Sequence, residues 1–87
     1  MTTSRNSVHP VVVRYFGPLL DVTGTAEETL ELALPARVND IERQIQRSRP
    51  GLELHRYRIA VDEAFRDGGD SIEQAREIAL LPAFSGG

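Results

Sequence analysis

Apolar and polar positions alternate from Val11 to Phe16, with Val11, Val13 and Tyr15 on one side and Val12, Arg14 and Phe16 on the other. A period of two predicts a strand of about six residues, and Arg14 marks its wetter face, so Val11, Val13 and Tyr15 are assigned to the core. Gly17-Pro18 interrupts the run and Gly24 closes the loop that follows. Glu27 to Leu34 alternates again, with Leu30, Leu32 and Leu34 opposite Glu31, and predicts a second strand hairpin-paired to the first across a long connection. Pro35 ends it. From about Val38 to Ser48 the spacing of Val38, Ile41 and Ile45 becomes three and four, a helical period. Asn39 or Asp40 is the expected cap, Asn39 with Glu42 resembling a capping box, and Pro50-Gly51 stops the helix after the basic residues Arg43, Arg47 and Arg49.

Tyr57, Ile59 and Val61 alternate with Arg58 and Ala60 as a third strand, which Asp62-Glu63 turns and Ala64-Phe65 briefly returns. Asp67-Gly68-Gly69-Asp70 reads as a surface loop, Ser71 to Gln74 as a single helical turn burying Ile72, and Ile78 to Leu81 as the last strand, halted by Pro82. One helix covering one face of a mixed sheet of about five strands predicts a small α+β roll. Residues 1–9 are polar and expected to be flexible, 10–81 form the domain, and 82–87 are expected to leave it as an extended tail. No internal repeat, low-complexity segment or linker interrupts this plan.

Eighty-seven residues make one small domain, and 40% hydrophobic with 26% charged residues is an ordinary soluble composition. The chain has no cysteine, which removes disulfides, thiolate ligands and a cysteine nucleophile together. A net charge of -3 argues against nucleic acid as a partner. The polar opening residues carry no signal-like apolar segment, and the apolar run after them is too short to span a bilayer, so a cytoplasmic protein with no membrane partner is expected. All ten basic residues are arginine. Without lysine the chain offers no ε-amine for a Schiff base, for isopeptide attachment or as a general base near neutral pH.

Candidate chemistry inside the domain is sparse. His9 and His55 lack helical ligand spacing, and no metal site is expected. Glu27-Glu28 and Asp67 with Asp70 are expected to be solvated. Gly68-Gly69 lacks the lysine and the strand–loop–helix setting of a phosphate loop. Eighty-seven residues seldom build the cleft that a Ser/His/Asp triad needs. The terminal Gly86-Gly87 is different in kind: two residues without side chains can enter a channel closed to any other, carrying the Gly87 carboxylate into another protein's active site. Six extended residues span about 20 Å, ample to thread a channel while the domain docks outside.

Val13-Arg14-Tyr15-Phe16-Gly17 followed by Thr23-Gly24, then Arg58-Ile59-Ala60-Val61-Asp62, then Glu77-Ile78-Ala79-Leu80-Leu81-Pro82-Ala83-Phe84-Ser85-Gly86-Gly87 resemble the β-grasp (ubiquitin-like) sulfur carriers, the family of molybdopterin synthase small subunits and thiamine-type carriers. The resemblance runs from about residue 11 to the end, and the tail is its specific part. Asp62 stands where asparagine is usual, and two segments depart from the family: Ala75-Arg76-Glu77 where a Gly-Asp-Glu turn is common, and Leu80-Leu81-Pro82-Ala83 where an aromatic pair and double proline often precede Ser-Gly-Gly. Neither Gly86 nor Gly87 is touched.

The resemblance implies a β-grasp fold and a carrier cycle. An adenylating (E1-like) partner enzyme activates the Gly87 carboxylate with ATP, sulfur replaces AMP to leave a thiocarboxylate, and the sulfur passes to a pterin precursor in molybdenum cofactor biosynthesis. It implies no bound cofactor, no catalysis by the isolated chain, and a large-subunit partner that holds the catalytic lysines and docks two copies of the chain as a heterotetramer. Gly86, Ser85, Phe84, Pro82 and Leu81 are the implied partner-binding residues. The alternatives are a carrier for thiamine thiazole, cysteine or a specialised metabolite, a ubiquitin-like modifier of protein lysines, and an interaction domain whose Gly-Gly has no role.

Overall fold

The structure, a computed structural model, describes residues 7–83. The elements run β1 (Ser7–Tyr15), α1 (Leu19–Thr23), β2 (Glu27–Leu34), β3 (Ala36–Arg37), α2 (Val38–Ser48), a 3-10 turn (Leu52–Leu54), β4 (Tyr57–Val61), β5 (Ala64–Arg66), β6 (Ser71–Ile72) and β7 (Glu77–Pro82). Five strands form one mixed sheet in the order β2-β1-β7-β4-β5, and β3 with β6 make a two-stranded ribbon beside it. The first and last strands are parallel neighbours at the centre, Val13 beside Ile78 and Tyr15 beside Leu80, while the other pairs are antiparallel. This is the small α+β roll that the pattern predicts, with the β-grasp topology that the resemblance implies.

Alternation decides which face is dry. Val11, Val13 and Tyr15 of β1, Leu32 and Leu34 of β2, Ile59 and Val61 of β4, and Ile78 and Leu80 of β7 all point to one side. There they pack on Val38, Ile41 and Ile45 of α2, and Leu19, Leu52 and Ile72 complete the cluster. Burying such a side chain is worth about 1.5–3 kcal/mol, so this cluster holds the sheet to its single main helix.

Four local expectations change. β1 begins at Ser7, because Ser7, Val8 and His9 pair with Leu34, Ala33 and Leu32, and a backbone ladder needs no apolar side chains. The loop after Gly17 contains a helical turn whose Leu19 is fully buried, closed by Gly24 in the left-handed conformation at φ 74°. The start of α2 has no side-chain cap. Its Val38 and Asn39 N–H groups instead donate to the carbonyls of Asp70 (3.0 Å) and Gly68 (2.9 Å), so a distant loop does the work assigned to Asn39 or Asp40. Ser71–Ile72 forms a strand pairing with Ala36–Arg37, not a helical turn, and Ile72 is buried as expected.

Candidate functional site

Parallel pairing of β1 and β7 brings the end of the last strand beside the Phe16-Gly17 turn that ends the first. The strand runs one residue further than Leu81: Pro82 is still in register opposite Tyr57, and the Ala83 N–H donates to the Arg56 carbonyl at 3.2 Å. Gly17 has φ +60°, and a Cβ there would lie 2.7 Å from Cγ of the Pro82 ring. Glycine is needed at this turn both for its backbone angle and for the close approach. Among the implied site residues Leu81 and Pro82 are therefore held on the sheet, both half-buried. Phe84, Ser85, Gly86 and Gly87 lie outside the described residues.

The face of the sheet away from α2 carries a second set. Register places Arg14, Ala79, Ala60 and Phe65 in one row across β1, β7, β4 and β5, with Leu81 beside Arg58 in the next. Phe65 is 53% exposed, one of few large apolar side chains left open among the described residues. The Arg58 guanidinium stacks on its ring at 3.9 Å from the centroid, a close cation–π contact. Arg14 lies 5.5 Å from the Phe16 ring and is neutralised by Glu77 at 3.2 Å and Glu27 at 3.5 Å. Arg58, among the described residues, makes no ion pair, so its charge is presented to solvent beside Phe65 and Leu81.

In the sequence Arg58 is only the residue that alternates with Ile59 in the third strand, and Phe65 only part of a brief return. The signal was the same alternation, since Arg58, Ala60, Phe65 and Leu81 occupy the positions left over once the core is chosen. What the spacing could not supply was the strand order that sets these residues side by side.

Two further clusters stiffen the scaffold. Glu28 is not the solvated carboxylate expected; its side chain is 19% exposed and bound on both oxygens. Arg49 donates to it from Nε at 2.8 Å and Nη2 at 2.6 Å, and the Tyr15 hydroxyl donates at 2.5 Å. The hydrogen-bonded guanidinium holds the Glu28 carboxyl below its ordinary range, aided by the Tyr15 hydroxyl and opposed by burial. Burial, together with the Glu28 carboxylate, pushes the Tyr15 phenol up. At the opposite end of β7, Asp62 sits at φ 48° and its Oδ1 accepts the N–H groups of both Arg76 and Glu77 at 2.9 Å. The Ala75-Arg76-Glu77 departure is thus latched by the hairpin turn between β4 and β5, and aspartate replaces asparagine with the same acceptor in place.

The remaining candidates stay apart from this region. His9 sits on β1 opposite Leu32 and His55 follows the 3-10 turn, both exposed. Among the described residues no group of three His, Cys, Asp or Glu side chains is placed to hold a metal. Asp70 closes its own loop, accepting from the Asp67 N–H at 2.9 Å and pairing with Arg66 at 3.4 Å. No helix among the described residues is long and apolar enough to cross a membrane. Open grooves of about 210 to 390 Å³ mark the surface of the described residues, and one of them, lined by Asp62, Glu63, Arg76 and Glu77, lies at the Asp62 latch.

Comparison with known proteins gives a consistent picture. Residues 13–87 match the model of the ThiS family. The chain is 33% identical over 81 residues to a protein of Caenorhabditis briggsae named molybdopterin synthase sulfur carrier subunit, covering 88% of this chain and 96% of that one. It is 30% identical over the same length, with the same coverage, to a Caenorhabditis elegans protein of the same name. Two solved structures share the fold. One, from Pyrococcus furiosus, is named as a candidate molybdopterin converting factor, subunit 1, and superposes with a TM-score of 0.74 at 21% identity over 86% of this chain and 98% of its own. The other, SAMP1 from Haloferax volcanii, gives 0.73 at 19% identity over 91% and 100%.

Proposed function

The chain belongs to the ThiS family, and from that premise we propose that it is the sulfur-carrying small subunit of a molybdopterin synthase. The observation that carries the reading is the coincidence of a Gly86-Gly87 terminus with two relatives, each matched over most of its length, that bear that name. In the proposed cycle the Gly87 carboxylate attacks the α-phosphorus of ATP on an adenylating enzyme and releases pyrophosphate. A sulfide equivalent from a sulfur donor then adds to the acyl carbon and expels AMP, leaving a thiocarboxylate. In the large subunit that sulfur is given to the pterin precursor and water restores the carboxylate.

The chain's own residues supply position. β7 delivers the tail from the centre of the sheet, and Pro82 and Ala83 are tied to Gly17, Tyr57 and Arg56 where it leaves. Leu81, Phe65 and Arg58 offer a docking face beside it, and Phe84-Ser85-Gly86-Gly87, next in the sequence, is the segment proposed to enter the partner's channel. A tail alone would lose much of its binding free energy to ordering, and a preformed face offsets that cost. With no lysine and no thiol, the chain presents an acyl group but no amine or thiolate of its own, so catalysis belongs to its partners.

The test is intact mass after incubation with ATP, a sulfide source and a cognate adenylating enzyme. A gain of about 16 Da, oxygen replaced by sulfur, is expected at the C-terminus. Adding the large subunit and pterin precursor should discharge it, from a complex of two small and two large subunits. No mass gain, or no complex with a large subunit, refutes the proposal. A carrier serving another acceptor is the second reading, favoured by Leu80-Leu81-Pro82-Ala83 where the family often has an aromatic pair and double proline. Loading without discharge by the large subunit would select it.

A further inference from the structure

The junction of Gly17 with Pro82 does more than fill space. Both partners are constrained: Gly17 is held at φ +60° in the turn between β1 and α1, and the Leu19 and Leu20 N–H groups fold that turn back onto the carbonyls of Phe16 (3.2 Å) and Gly17 (3.0 Å). Pro82 is a rigid ring on a backbone paired with Tyr57, and the Ala83 N–H is bonded to the Arg56 carbonyl. A ring that cannot rotate away thus lies against a turn that cannot yield cheaply.

We infer that Gly17 is a positioning residue for the acyl terminus: by admitting the Pro82 ring it sets the point and direction from which the tail leaves the sheet. The inference rests on the carrier reading above. A Cβ at Gly17 would force the ring back from 2.7 Å to ordinary contact near 3.4 Å, a retreat of about 0.7 Å. If β7 pivots at Leu80, two residues and about 7 Å earlier, the tilt is about 6°. The chain leaves β7 at Pro82, so the retreat and the tilt shift that exit by about 0.7 Å and redirect it by about 6°. Misplacement of a reacting group by about 1 Å can cost 100-fold in rate. Partner enzymes can correct part of this, so a loss of at least about 10-fold is expected.

The experiment is a double-mutant cycle with Gly17→Ala, Pro82→Ala and the double variant, read as kcat and KM for thiocarboxylate loading by the adenylating enzyme with intact-mass detection. Melting temperatures are measured alongside. Gly17→Ala should lower kcat by about 10-fold or more with a smaller change in KM, because docking by the sheet face is kept while the acyl group is displaced. In the Pro82→Ala background, where Cγ is gone, the same change should cost less than about twofold, since only the backbone strain common to both backgrounds is left. Gly17→Asn carries the same Cβ on a backbone that tolerates positive φ, and covers the case in which the alanine variant folds poorly. It should show the same Pro82-dependent loss. If the wild type loads and the Gly17 substitutions cost the same with and without the Pro82 ring, the inference is overturned. It is overturned equally if they lower only the melting temperature. If the wild type never gains sulfur, the carrier reading falls and this inference with it.

Discussion

Phe65→Ala tests whether the open sheet face is a docking surface. Phe65 keeps 53% of its surface exposed, and a phenylalanine offers roughly 200 Å². A partner covering it would remove about 100 Å² from water, worth about 2.5 kcal/mol at ~25 cal/mol per Å². Alanine retains the Cβ, so the expected loss on truncation is about 2 kcal/mol, or about 30-fold in Kd for the large subunit. The free protein should barely register the change. Phe65 lies on the edge strand β5 outside the core cluster, and its stacking on Arg58 contributes about 0.5–1 kcal/mol at an exposed site. That corresponds to a fall in Tm of no more than about 8 °C for a domain of this size. Titration calorimetry against the purified large subunit, with melting curves of the free chain, separates the two effects. Wild-type affinity in the variant would refute the docking argument, and so would a loss of binding that only tracked a much larger fall in Tm.

Removing Gly87, or adding residues after it, should abolish the thiocarboxylate mass gain and leave the melting temperature unchanged; sulfur loading of a C-terminally tagged chain would contradict this. Glu28→Gln should lower stability at pH 7 by about 1–2 kcal/mol, discounted for partial exposure of the pair with Arg49. Because the folded Glu28 carboxyl lies below its ordinary value of 4.5, that stability is full above this value and is lost as pH falls through the folded pKa. The two melting temperatures should therefore converge in acid, and a gap that persists there would disprove the assignment. Asp62→Ala should cost about 2 kcal/mol by leaving the Arg76 and Glu77 N–H groups without their acceptor and placing alanine at φ 48°, while Asp62→Asn keeps both and should cost under about 1 kcal/mol, as read from urea unfolding.

Much of this architecture is local in origin, and alternation read it. Val11, Val13, Tyr15, Leu32, Leu34, Ile59 and Val61 fall on the dry face because successive strand residues point to opposite sides, whatever the strand pairs with. The helix over 38–48 follows from the spacing of Val38, Ile41 and Ile45 in the same way. What tertiary structure decided involves residues far apart in sequence. Strand order put β7 between β1 and β4, so that Pro82 meets Gly17 and Leu81 stands beside Arg58. It also carried Arg49 to Glu28, the Gly68 and Asp70 carbonyls to the start of α2, and Asp62 to the loop before β7. Hydrogen-bond donors and carboxylates seek partners wherever folding brings them, and no periodicity within one segment encodes a partner in another.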